Sequence, residues 1–430
     1  MSSALSRRRL ALFALFFIPG FSIASWVTRT PAIRDLLGAS TAQMGLVLFG
    51  LSVGSMIGIL GSGPLVARFG TRPVILFGVT LVVVSMPTVG LGAAVSSAAL
   101  TTVGLALFGL GMGSTEVALN IDGADLERAI AKPVLPALHG CFSLGTVIGA
   151  VAGIAFTATS FSVVWHLVLV GVAVGAVVPL AIRHIPGGVG QSARADPRTD
   201  AETTVKPAPV WADRTLLLIG VIVLAMALAE GTANDWLPLV MVDGHGFTAA
   251  FGSAVYAVFA AAMTIGRFAG GYFVHRYGRA AVLTVSAAAA TGGLALVSFP
   301  DSQILAGAGV LLWGLGASLG FPVALSAAGD SGPRPAARVS FVATLGYVAF
   351  LVGPPALGFL GEHFTLRAAL IMPMILVAIA IFVAPALRKR TTTDSLPLDT
   401  TNHGGGATTS PRRSAASPNG TPDALNTHDR

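Results

Sequence analysis

The sequence predicts an all-α membrane protein of twelve transmembrane helices, built as two six-helix pseudo-repeats. Three observations carry that prediction. Of 430 residues, 54% are apolar and 10% charged, against about a quarter charged in soluble domains. Apolar runs near the length of about 20 residues that a bilayer requires occur twelve times. Short motifs recur between the two halves at a nearly fixed offset.

This composition excludes a soluble enzyme, a disordered chain and a nucleic-acid-binding domain. The 52 glycines suit helices that approach closely in lipid. Cys141 is the single cysteine, which excludes intramolecular disulfides and zinc ribbons. None of the three lysines (Lys132, Lys206 and Lys389) follows a glycine, so there is no nucleotide-binding lysine loop. No cofactor and no metal site is expected.

Span 1 (9–31) follows Arg7-Arg8-Arg9. The triplet resembles the start of a signal peptide, but the apolar run is too long and eleven more follow, so it is read as a span. Spans 2 (41–63) and 3 (73–94) flank a short basic loop. Span 4 (98–120) carries Gly109-x-Gly111-x-Gly113, which no strand precedes, so it reads as a packing surface and not a phosphate loop. Spans 5 (134–158) and 6 (162–183) complete a first half, 1–185. A polar linker, 186–213, leads to spans 7 (215–240), 8 (250–274), 9 (280–299), 10 (302–326), 11 (338–361) and 12 (366–387) of a second half, 214–390. Gly353-Pro354-Pro355 interrupts span 11 and reads as a bend, because proline frees backbone carbonyls. Residues 391–430, rich in Thr, Ser, Pro and Gly, read as a disordered cytoplasmic tail.

Lysine and arginine fix the orientation. With the N-terminus inside, 22 basic residues fall on the cytoplasmic side and 3 (Arg29, Arg34, Arg367) outside, with Arg267 inside span 8. Both termini and the linker are therefore expected in the cytoplasm.

The repeat is visible at several places. Gly63-Pro-Leu-Val-Ala-Arg-Phe-Gly70 after span 2 matches Gly271-Tyr-Phe-Val-His-Arg-Tyr-Gly278 after span 8. Gly38-Ala-Ser40 matches Gly246-Phe-Thr248, and Gly109-Leu-Gly111 matches Gly314-Leu-Gly316. Two like-oriented halves joined by an inner linker are the layout of a rocking secondary transporter.

These features resemble the major facilitator superfamily. Its loop signature is matched by Gly63, Arg68, Gly70 and Arg72, and again by Gly271, Arg276, Gly278 and Arg279. Ala67 and His275 stand where the family has an acid, so the conformational latch that the signature implies is expected to be weak. Ala24 to Ile33, His139-Gly140, Glu230-Gly231 with Asp235-Trp236, and Gly353-Pro-Pro355 resemble a bacterial inner-membrane branch related to the fucose permease. The resemblance implies a multi-pass protein of the bacterial inner membrane, working as a monomer.

An acid at the bilayer centre needs a partner or a purpose. Glu116 and Asn120 share a face of span 4, and His139 lies at similar depth in span 5. They read as a proton-carrying group or as a static brace. Glu230 and Asn234 share a face of span 7, where no base of the same span can pair with the acid, and they read as a substrate or proton site. Asp235 and Arg29 read either as an outer gate or as an end-cap and a headgroup anchor. Arg267 reads as reaching back to the inner headgroups, and Trp26 and Trp313 as packing. The partners implied are protons, the lipid bilayer and a small-molecule substrate, with no nucleic acid. The function expected is proton-coupled symport of a small polar or amphipathic solute by alternating access. The alternatives are a proton-antiporting exporter and, in another class, a non-transporting membrane sensor or scaffold.

Overall fold

The computed structural model describes residues 3–387, except 133, 192–209 and 333. The expected tail, 391–430, and most of the linker lie outside the described residues. Among the described residues, twelve helices are long and apolar enough to cross a membrane: Ala4–Val27, Thr41–Phe69, Thr71–Ala94, Ala98–Ile130, Ala137–Ala158, Val163–Ile182, Arg214–Gly244, Ala249–Tyr277, Arg279–Ser298, Gln303–Gly329, Ala337–His363 and Leu366–Val383. They are spans 1 to 12 below. A further short helix, Thr30–Leu37, follows span 1. Among the described residues there is no strand.

Several helices outrun their apolar segments. Span 4 continues to Ile130, carrying Asp122, Asp125, Glu127 and Arg128 on its last turns. Hydropathy marks where apolar residues stop, whereas the helix ends where backbone hydrogen bonding stops. Ala131, in the left-handed region at φ 51°, ends it.

The helix starts repeat as the sequence does. Ser40 accepts from the Gln43 N–H and completes a capping box, and Thr248 accepts from the Phe251 N–H. Gly70 and Gly278 close spans 2 and 8 at φ 83° and 78°, backbone that side chains rarely adopt. This explains why glycine stands at both positions of the loop motif.

Glycine also sets the helix spacing. A Cβ at Gly109 would lie 2.1 Å from the Leu51 carbonyl oxygen of span 2, and one at Gly111 would lie 2.4 Å from the Gly78 carbonyl oxygen of span 3. In the second half Gly314 abuts Phe259 of span 8 and Gly316 abuts Ala290 of span 9. The Gly-x-Gly runs are two-sided packing surfaces, as expected.

Span 11 is not interrupted. Its helix runs unbroken through Pro354 and Pro355. Pro354 has no N–H for the Phe350 carbonyl one turn back. The Ser52 hydroxyl of span 2 donates to that carbonyl instead, at 2.8 Å. The freed acceptor is satisfied from the other half of the molecule.

The side that carries the N-terminus and the linker is the linker side below, and the opposite one is the far side. At the linker side, Arg8 of span 1 donates to Asp122 of span 4 through Nε (2.9 Å) and Nη2 (2.7 Å). The Thr71 hydroxyl at the start of span 3 donates to the same carboxylate at 2.6 Å. In the second half Asp330 and Arg279 pair at 2.6 Å. Both positions are offset by 208 from Asp122 and Thr71, so the two halves share one device: an acid at the end of the fourth helix ties the first residue of the third. The start of the linker docks here too, with the Thr71 N–H donating to the Val189 carbonyl at 2.8 Å.

Candidate functional site

A cavity of about 570 Å³ lies between the halves. Its lining comes from spans 1, 2, 4 and 5 of the first half and spans 7, 8, 10 and 11 of the second. Spans 3, 6, 9 and 12 stand outside and buttress them. Most of the wall is apolar, with Phe16, Phe108, Phe142 and Phe350 among the rings. Glu116, Asn120, His139, Glu230, Asn234 and Asp235 all line it. The structure thus gathers the expected pathway residues, from both halves, around one space.

Their contacts differ from expectation in three respects. First, Arg267 lines the cavity, and its Nη2 lies 2.8 Å from Glu230 Oε1. At about 1.5 Å per residue, Glu230 sits about 24 Å from the linker-side start of its helix and Arg267 about 15 Å from the linker-side end of its own. The long arginine stem covers the difference. Arg267 therefore does not turn back to the headgroups, and Glu230 does have a cation. A charge-assisted hydrogen bond inside the protein outweighs solvation at a distant interface.

Second, Glu116 and His139 are not bonded to each other. Asn120 Nδ2 donates to the Glu116 backbone carbonyl at 2.9 Å, and Asn120 Oδ1 faces His139 Nε2 at 3.0 Å. A carbonyl needs a donor, which fixes the amide orientation and requires His139 Nε2 to carry a proton. The Phe16 ring meets the imidazole edge-on at 5.3 Å. The Glu116 carboxyl is open to the cavity and has no hydrogen bond among the described residues.

Third, Arg29 and Asp235 are not brought together. Arg29 turns to the far-side end of span 5, donating to Thr157 Oγ1 at 3.0 Å and to the Phe161 carbonyl. Carbonyls at a helix C-terminus attract a cation. Asp235 is 7% exposed, lines the cavity and has no hydrogen bond among the described residues. Asn234 Oδ1 accepts from the Tyr256 hydroxyl at 3.4 Å. Trp26 and Trp313 are fully buried, packed edge-on against Phe108 and Phe259, which fits the packing reading.

The far side is closed by contacts between the halves. Arg34 pairs with Asp243. The Ala42 N–H donates to Glu362 at 3.1 Å, and the Ser253 hydroxyl to the Thr28 carbonyl at 2.8 Å. Spans 2 and 11 touch backbone to backbone: a Cβ at Gly45 would lie 2.8 Å from the Pro354 carbonyl oxygen. Sequence reasoning did not find Ser52, Asp243 or Glu362. The one available signal was Pro354, which announces an acceptor in need of a donor.

In the loop motif, Gly63 and Gly271 face open space. Arg68 and Arg276 lie over the neighbouring Phe69 and Tyr277 rings at 5.1 and 5.5 Å. Arg279 is the motif member engaged by an acid, Asp330, which comes from span 10 and not from the loop.

The profile of the Major Facilitator Superfamily matches residues 137–347. An uncharacterized MFS-type transporter of Yersinia pestis is 31% identical over 355 residues, covering 82% of this chain and 89% of that protein. The chain belongs to the major facilitator superfamily. Among solved structures, a mutant of the nucleoside transporter NupG shares the fold at a TM-score of 0.72 and 14% identity, over 89% of this chain and all of that one. FucP in its outward conformation matches at a TM-score of 0.61 and 18% identity, over 88% of this chain and 98% of that one. At such identities these two speak for the major facilitator fold alone. Membership makes the chain a membrane transporter and not an enzyme.

Proposed function

We propose that this facilitator moves a small polar or amphipathic solute by alternating access, driven by protons, with the linker side in the cytoplasm. The observation that carries the reading is the placement of ionisable groups inside a cavity that both halves line and that inter-half contacts close on the far side. The excess of basic residues on linker-side segments supports the orientation. The arrangement then opens inward.

The closing contacts are hydrogen bonds worth about 1 kcal/mol each, so a rival set on the other side can replace them. Proton coupling rests on the unpartnered carboxyls of Glu116 and Asp235 and on the Glu230–Arg267 pair, which a proton on Glu230 would loosen. Symport into the cell is the direction that the permease resemblance supports. A single chain suffices, since the cavity is complete within it.

The test is solute flux in proteoliposomes under imposed pH gradients, across a panel of sugars, acids and amphiphiles. Accumulation with acid on the uptake side supports symport. Accumulation only with acid in the lumen replaces it with antiport. No flux of any solute under either gradient would overturn transport itself.

A further inference from the structure

We infer that the solute is an organic monocation with an aromatic or apolar body, an inference that rests on the transporter reading above. The cavity holds three carboxyls, Glu116, Glu230 and Asp235, and one guanidinium, Arg267. That guanidinium bonds Glu230 at 2.8 Å and also attracts Glu116, so three acids share one cation. Arg29 points away to the end of span 5. The imidazole of His139 spends its Nε2 proton on Asn120. Two acids are left over.

Some of the polar groups around them are already engaged. Asn120 bonds the Glu116 backbone and His139, and the Asn234 carbonyl oxygen takes the Tyr256 hydroxyl. Asp235 is 7% exposed and lines the cavity without a hydrogen bond among the described residues. A buried carboxylate in that position is neutralised by a proton or, when ionised, by a positive charge that arrives with the solute. An anion would add to the acid excess. A neutral sugar brings donors but leaves the charge uncompensated. A cation supplies what is lacking, and the faces of Phe16, Phe108, Phe142, Phe350 and Tyr347 can hold both its charge and its apolar body. The volume, about 570 Å³, is that of a small-molecule site.

The test is counterflow in proteoliposomes with the whole protein. The probes are N-methyl-4-phenylpyridinium, the similarly sized anion 4-phenylbenzoate, and glucose. The expected result is exchange of the pyridinium alone. Asp235→Asn and Glu116→Gln should each weaken its half-saturation about tenfold or more, while Asp235→Glu retains most of it. Each variant is first checked for a single symmetric elution peak in detergent, so that a misfolded protein is not scored. Exchange of the anion or of glucose without the pyridinium would overturn the cation class while leaving transport standing. Pyridinium exchange unchanged in both charge-removing variants would overturn the role of the two acids. Failure of all three probes would also reject the cation class, and transport itself is then judged by the pH-gradient panel. If Glu116 and Asp235 serve protons only, the variants would abolish pH-driven accumulation of some other solute and leave pyridinium unbound, which equally rejects the proposal.

Discussion

Glu230 and Arg267 meet because a guanidinium on a long flexible stem spans the offset between their backbone positions. Neither is fully buried: the side chains are 16% and 39% exposed, so the pair is worth less than a dry one. Arg267→Leu should lower stability by about 1–2 kcal/mol, because it strands an acid in the cavity. The double variant Glu230→Gln/Arg267→Leu should recover part of the loss, read as a melting temperature in detergent. A double variant as unstable as the sum of the singles would show that the two act separately. A second acid lies outside the spans. The Arg338 guanidinium, hydrogen-bonded to Asp213, holds that carboxyl below its usual range, while the Thr215 and Leu216 N–H groups also donate to it. A lowered folded value means that the contribution is present above the unfolded value of about 4 and fades as pH falls through the folded one. Asp213→Asn should therefore cost about 1 kcal/mol at pH 7 and progressively less as pH falls through the folded value, with the partial exposure of Asp213 keeping the figure small. At this scale the sequence was readable for which residues matter and unreadable for whom they touch. Depth along a helix follows from counting, but rotation about its axis does not, and Arg267 and Arg29 were misjudged for that reason.

At the scale of the helix, the informative case is span 11. Its prolines were visible as breakers of backbone bonding, and the inference of an interruption omitted the neighbour that supplies the missing donor. Ser52→Ala removes the donor to the Phe350 carbonyl. Pro354→Ala restores an N–H within span 11 that competes for the same carbonyl. Both should weaken far-side closure, each by about 1 kcal/mol, and the double variant should do no worse than the stronger single. Distances between spin labels on the far ends of spans 2 and 11 report it, and strictly additive effects would rule out a shared acceptor. Glycine spacing in spans 4 and 10 was read correctly, because a missing side chain has one structural meaning wherever helices touch. Ser40 and Thr248 were visible only as a repeat, and the structure shows why they repeat: each precedes a helix start and satisfies N–H groups that every helix leaves open. The linker-side acids were missed because Asp122 and Asp330 lie past the apolar segments, where hydropathy no longer marks a span.

For the molecule as a whole, hydropathy and repetition were enough to give twelve helices and two matched halves, since lipid demands long apolar helices and little else. Which helices line the cavity was not legible, because cavity-facing and lipid-facing walls are both mostly apolar. A reporter fused after residue 390 tests the orientation. It should be active only in the cytoplasm, and activity outside would refute the sidedness drawn from the basic residues. The loop motif without its usual acid was expected to leave the latch weak. The acids of spans 4 and 10 tie helices within one half each, so they do not replace that latch. Ala67→Asp should therefore shift the resting accessibility, read by cysteine labelling after Cys141 is replaced, and an unchanged labelling pattern would show that the missing acid is compensated elsewhere.

The bond between Arg8 and Asp122 also bears on how the protein is made. The two residues are 114 positions apart. At about 5–20 residues per second of synthesis, Arg8 waits on the order of ten seconds for its carboxylate to leave the ribosome. Through that interval the first helix lacks the carboxylate that its charged end bonds in the folded protein. Thr71 reaches the nascent bundle before Asp122 does. The ties of the first and third helices to Asp122 can therefore form only once the fourth helix has emerged. Loss of Asp122 would then be felt during biogenesis, as helices delivered to the bilayer but never drawn together, before any solute is carried.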